Sequence, residues 1–259
     1  MKRLLSLFVC ASLALSFSCS DDDDSTPNTN TDKNPTTDEE VLALYESLFY
    51  GAEDIYIEGD YIVVEATAVP DHKSPYFEGT EWESTKYIDD TRPSFQKAPN
   101  NKVSVINYKF KLPINPTEDA TKTSLGTATI GIAINGVPLF NQYAAGNSPI
   151  TTSSGEYLSF DLYGGHPTPN HEYHYHIEPN YVTDLKGEDA LLGYLLDGFP
   201  VYGPGEDGET LTSDDLDDYH GHEHATEEYP EGIYHYHITA DSPYINGNGF
   251  FGNAGTFTK

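Results

Sequence analysis

Sulfur is almost absent from this sequence. Of 259 residues, two are cysteine (Cys10 and Cys19) and one is methionine (Met1). Past residue 19 there is no thiol for a disulfide, a cysteine nucleophile or a thiolate metal site. Any transition metal must therefore be held by imidazole and oxygen. Basic residues are scarce as well: 13 Lys and Arg stand against 42 Asp and Glu, for a formal charge of −29. Such a surface repels phosphate backbones and attracts cations, which argues against nucleic-acid partners. No Gly-x-Ser-x-Gly elbow and no phosphate loop occurs, which removes two common routes to hydrolysis and nucleotide binding.

The one long apolar run is Leu4–Phe17, behind Lys2 and Arg3. It is too short for a spanning helix and reads as a secretory signal over residues 1–18. Cys19 follows, then Ser20 and Asp21–Asp24. This resembles a bacterial lipoprotein signal, with Cys19 as the lipidation site. The acidic run resembles the surface-export tag of some Gram-negative lipoproteins. Together these predict a lipid-anchored protein at the outer membrane or cell surface, and losing Lys2 and Arg3 takes the charge from −29 to −31. Residues 19–37 read as a flexible linker, since after Cys19 they are only Asp, Ser, Thr, Asn, Pro and Lys, with nothing to bury.

Thr37 and Glu40 form a capping-box pattern, and Val41, Leu44, Tyr45, Leu48 and Phe49 recur at helical spacing, predicting a short helix over 38–50. Strand signals dominate afterwards. Residues 55–58 and 61–67 flank Gly59-Asp60 as a hairpin, and 103–112 and 127–134 alternate as further strands. The predicted fold of 51–259 is mainly β, sandwich- or barrel-like, with an internal duplication, long loops and a short N-terminal helix.

The duplication is visible in three blocks. Gly131–Phe140 lines up with Gly193–Tyr202, Asp161–His166 with Asp217–His222, and Tyr173–Ile177 with Tyr234–Ile238. Three blocks in one order at a spacing near sixty residues mark two related halves, about 127–177 and 189–238. On these residues the chain resembles the YHYH domain family, through Pro70-Asp71-His72, Asn135–Pro138, Gly165-His166-Pro167, Asp197–Gly203 and the two Tyr-His-Tyr-His segments at 173–176 and 234–237. In many relatives a cysteine stands where Tyr163 and Tyr219 stand here, and another near 247–251, so a family disulfide is not carried over. The resemblance implies domain boundaries and site residues, and no reaction.

All but one of the ten histidines lie between 166 and 237. Strand alternation places His174 and His176 on one face, opposite Tyr173, Tyr175 and Ile177. His235 and His237 share a face in the same way. Paired imidazoles leaving a sheet in one direction suit one ion, with copper or zinc the metals expected. Two geometries compete. One is a shared site of His174, His176, His235 and His237 at the interface of the halves, favoured because the halves must meet somewhere. The other is two sites, His166-His174-His176 and His222-His235-His237, each with an open position. The alternative without metal is a hydrogen-bonded aromatic ladder with satisfied histidines. His72, His171, His220 and His224 are weaker candidates.

Asp197 replaces Asn135 in its repeat and is a turn residue or, in an enzyme, a general base; Asp161 and Asp217 have similar alternatives. The acidic stretch 206–218 admits calcium but lacks a calcium-loop register. Three functions follow: an extracytoplasmic metal-binding domain, a metal-dependent hydrolytic or oxidative enzyme, or an acidic adhesion or matrix protein. Imidazole ligation also predicts release of the ion as pH falls through roughly 6 to 4.

Overall fold

The computed structural model describes residues 33–122 and 129–259. The predicted signal, the predicted lipidation site Cys19 and the linker up to residue 32 lie outside the described residues. Near the linker's end, Asn34 Nδ2 donates to Gly232 O at 2.9 Å. The first helix, α1 (Asp38–Leu48), starts where the capping box places it: Glu40 N donates to Thr37 Oγ1, and Thr37 N to Glu40 Oε2. Its Val41 and Tyr45 are buried, and Tyr45 stacks on Tyr194 at 4.2 Å.

In chain order the strands are β1 (Asp54–Glu58), β2 (Tyr61–Ala66), β3 (Tyr108–Pro113), β4 (Thr129–Ala133), β5 (Pro138–Phe140), β6 (Tyr143–Ala144), β7 (Ser148–Pro149), β8 (Gly165–Pro167), β9 (Tyr173–Tyr175), β10 (Leu191–Leu195), β11 (Pro200–Tyr202), β12 (Gly205–Glu206), β13 (Glu209–Thr210), β14 (Gly221–His224), β15 (Ile233–His237) and β16 (Thr256–Thr258). Short helices α2 (Glu83–Lys86), α3 (Gly155–Leu158) and α4 (Asn180–Lys186) sit in the connections. The expected mainly β fold is borne out. Both large sheets are open among the described residues, so the fold is sandwich-like and not a barrel.

The smaller sheet has the order β1-β2-β3-β16. Its first hairpin turns at Gly59, whose φ of 63° suits glycine. Alternation along β3 buries Tyr108, Phe110 and Leu112 and leaves Lys109 and Lys111 half-exposed. The strand is shorter than the predicted 103–112. Residues 103–106 send their backbone donors to separate loops, Val103 N to Tyr76 O and Ile106 N to Thr67 O, which prevents a ladder.

The larger sheet has the order β14-β15-β11-β10-β4-β5-β9-β8. Read outward from its centre, each half repeats the same sequence of strands: hairpin, Tyr-His strand, Gly-His strand. The halves meet where β10 pairs antiparallel with β4, in the register Gly193↔Ala133, Tyr194↔Ile132 and Leu195↔Gly131. The duplicated blocks equate 131 with 193, 132 with 194 and 133 with 195. The two outer pairs therefore exchange and the central pair maps onto itself, which places Ile132 and Tyr194 at a local pseudo-twofold axis. All five residues of β10 and all five of β4 are buried, as central strands covered on both faces must be. Side chains from both sheets and α1 form one core.

Candidate metal centres

Each Tyr-His-Tyr-His strand is held between two neighbours. β9 pairs parallel with β5 and antiparallel with β8; β15 pairs parallel with β11 and antiparallel with β14. The antiparallel register sets His166 directly opposite His174, and His222 opposite His235. Directly opposed residues bring their side chains together on one face, and i+2 adds His176 and His237. The opposite face of each strand is tyrosine. Tyr173 and Tyr234 donate to the equivalent carboxylates Asp161 (2.8 Å) and Asp217 (3.0 Å). Tyr175 and Tyr236 bond the equivalent turn residues Asn135 (3.0 Å) and Asp197 (2.6 Å). Glycine in the Gly-His elements makes room for this face: a Cβ on Gly165 would lie 2.4 Å from the Tyr173 hydroxyl, and one on Gly221 2.6 Å from that of Tyr234.

On the histidine face the ring nitrogens converge. In the first cluster His174 Nε2 lies 3.1 Å from His166 Nε2 and 3.0 Å from His176 Nε2, with Glu156 Oε1 3.1 Å from His166 Nε2 and 3.6 Å from His176 Nε2. In the second, His237 Nε2 lies 3.2 Å from His222 Nε2 and 3.1 Å from His235 Nε2, with Glu206 Oε1 3.0 to 3.6 Å from all three. These are the two groups among the described residues whose ligand atoms gather closely enough to hold a metal ion. Glu156 is delivered by α3, capped by Ser154 Oγ, and Glu206 by the β12–β13 hairpin.

The other ring nitrogens fix the tautomers. His174 Nδ1 faces Glu172 O (3.1 Å), His176 Nδ1 faces Asn141 O (2.5 Å), His235 Nδ1 faces Ile233 O (2.9 Å) and His237 Nδ1 faces Gly203 O (2.7 Å). A carbonyl only accepts, so each Nδ1 carries the proton. Ser159 Oγ donates to Glu156 O and thus accepts from His166 Nδ1 at 2.7 Å. A neutral imidazole has one proton, which leaves each of these Nε2 atoms with a bare lone pair aimed at the others. Lone pairs facing each other near 3 Å repel unless a cation lies between them. An ion bound tetrahedrally at about 2.0 Å sets its ligand atoms about 3.3 Å apart, close to the spacing seen.

Protonation is the competing source of positive charge, and burial opposes it. His235 and His237 are pushed down to about 4 by burial, and burial lowers His174 and His176 too. A histidine whose folded pKa lies below its unfolded value near 6.5 favours folding fully above that value, and the benefit is lost as pH falls towards 4. The chelated protein is expected to lose stability steadily between pH 6.5 and 4 in urea titrations. Equal midpoints at pH 7 and pH 4.5 would contradict this.

The shared site is not the arrangement adopted. β5, β4, β10 and β11 lie between β9 and β15. Five inter-strand steps separate them by about 24 Å. The halves meet through β4 and β10, which carries the histidine strands outward in opposite directions. His166, His174 and His176 are brought together, as are His222, His235 and His237. Asp197 is not with them. It is fully buried on the tyrosine side, where it also accepts from Gly252 N (2.9 Å), and burial raises its carboxyl to about 6. His72 is likewise on the tyrosine side, 3.0 Å from Tyr175 Oη. His220 is buried against Thr239 Oγ1, and His224 stands at the rim beside Glu206. The acidic stretch 206–218 forms no calcium cage among the described residues; its first residue, Glu206, serves the second histidine cluster.

Glu156 and Glu206 escaped sequence reasoning. β6–β7 stands where β12–β13 stands in the other half, so Ala144 is the counterpart of Glu206. The two carboxylates come from unrelated positions, and the repeat carries no signal for either. No curated protein and no solved structure matches the chain. A family profile described as YHYH protein matches residues 109–210 and 203–249. With the motif elements arranged as the two halves of one sheet, the chain belongs to the YHYH family.

Proposed function

We propose that this protein binds two transition-metal ions, zinc or copper(II), one in each histidine–glutamate cluster. The observation that carries this reading is the convergence of unprotonated Nε2 atoms whose Nδ1 protons are committed elsewhere. An aromatic ladder would instead alternate donors and acceptors. Three nitrogens and a carboxylate oxygen without sulfur suit zinc and copper(II) better than copper(I) or calcium. The signal-like residues 1–18 and Cys19 support a lipid-anchored location outside the cytoplasm, where the domain would meet these ions.

Elemental analysis of the purified chain is expected to give two ions per molecule after equilibration with zinc at neutral pH, and none after exhaustive chelation. Fewer than one ion, or calcium in place of a transition metal, would contradict the reading.

A further inference from the structure

The two clusters share a ligand set and differ in what surrounds them. The first opens on a cleft of about 680 Å³, and Glu156, His166, His174 and His176 all line it. Its other walls are largely apolar, including Phe140, Ala98, Pro99, Pro167 and Pro169. Phe140 stacks on the His174 ring at 3.9 Å. Lys97, also at this cleft, is ion-paired with Glu78. The second cluster opens on about 290 Å³, walled by Asp189, Asp207, Glu227 and Glu228, with His224 3.2 Å from Glu206. There Tyr202 replaces Phe140, and its hydroxyl donates to Glu228 at 2.8 Å.

Charge and size then separate the sites. A divalent ion with three neutral imidazoles and one carboxylate leaves one net positive charge. In a cleft with apolar walls that charge is poorly screened and favours an anionic oxygen donor. A volume near 680 Å³ falls in the range of small-molecule sites, whereas the second cavity is small and its carboxylates repel anions. Resting on the metal reading above, we propose that the cleft beside Glu156, His166, His174 and His176 binds a small organic monocarboxylate. Its head group adds to the ion as a fifth ligand beside the three imidazoles and Glu156, and its apolar body lies against Phe140 and the prolines. The second site holds its ion without such a ligand.

The test uses the full chain loaded with cobalt(II), whose visible absorption reports its ligands, titrated with benzoate and with acetate. In His235→Ala/His237→Ala, which keeps the first site, benzoate should perturb the cobalt bands saturably. It should bind about tenfold or more tighter than acetate, because burying a phenyl ring adds apolar contact that acetate lacks. In His174→Ala/His176→Ala, the same benzoate concentrations should leave the spectrum unchanged. Pro99→Ser/Pro169→Ser, which removes apolar wall from the cleft at residues that hold no ion, should weaken benzoate and leave acetate and the cobalt content as they were. Equal responses at both sites, equal affinity for the two anions, or no response from first-site cobalt overturns the carboxylate cleft alone. Absence of cobalt from the first site overturns the metal reading and this inference together.

Discussion

Saturating zinc is expected to raise the unfolding temperature of the chelated protein by about 15–30 °C. An ion that binds the folded state and not the unfolded one adds about 4 kcal/mol at a free concentration a thousand times its dissociation constant. Two independent sites give about 8 kcal/mol, comparable to the whole stability of an ordinary domain. For a domain of this size each kcal/mol moves the midpoint by about 2–4 °C. The effect should be this large because the metal-free clusters are unfavourable in themselves, with the lone pairs of His166, His174 and His176, and of His235 and His237, opposed near 3 Å in buried surroundings. Calcium supplies the control. An acidic surface binding cations loosely would respond to calcium and zinc alike. The paired imidazoles should respond to zinc and leave the calcium curve within a few degrees of the chelated protein. A zinc shift no larger than the calcium shift would favour the adhesion or matrix alternative.

Much of this architecture was legible in the residues. The capping box at Thr37 and Glu40, the turn at Gly59 and the alternation of Tyr and His each state a local rule, and the chain obeys them. The duplication was legible too, down to equivalent pairs such as Asp161 and Asp217. What a repeat does not encode is which strands form the seam between its copies. The histidine strands were the conspicuous choice, but alternating strands expose one face to a site or to solvent. The nearly continuous apolar run Leu191–Leu195 is the pattern of a strand covered on both sides, and it takes the centre. That signal was present and outweighed by the histidines.

The fourth ligands were illegible for a different reason. Glu156 and Glu206 reach their clusters from loops whose path depends on tertiary packing, a four-residue helix in one case and a tight hairpin in the other. Among 42 acidic residues nothing in the sequence distinguishes these two. Asp197 illustrates the converse. Its place in a Gly-x-Pro turn drew attention to it, and the structure uses it to tie Tyr236 and Gly252 together behind the histidine face.

Removing histidines in pairs separates the accounts most sharply. His174→Ala/His176→Ala deletes two of three nitrogens from the first cluster and leaves Tyr173 and Tyr175 bonded to Asp161 and Asn135, so the strand keeps its packed face. His235→Ala/His237→Ala does the same to the second, with Tyr234 and Tyr236 still held by Asp217 and Asp197. A single remaining imidazole and a carboxylate bind an ion far more weakly than the full set. With the clusters about 24 Å apart and no shared ligand, the losses should add. Each double variant should also keep about half of the zinc-induced stabilisation. The decisive measurement is the number of zinc ions retained per chain after dialysis at neutral pH, for the wild type, each double variant and the quadruple variant. Two separate clusters give two, one, one and none. Retention of two ions by either double variant, or loss of both ions from either one, would contradict the account.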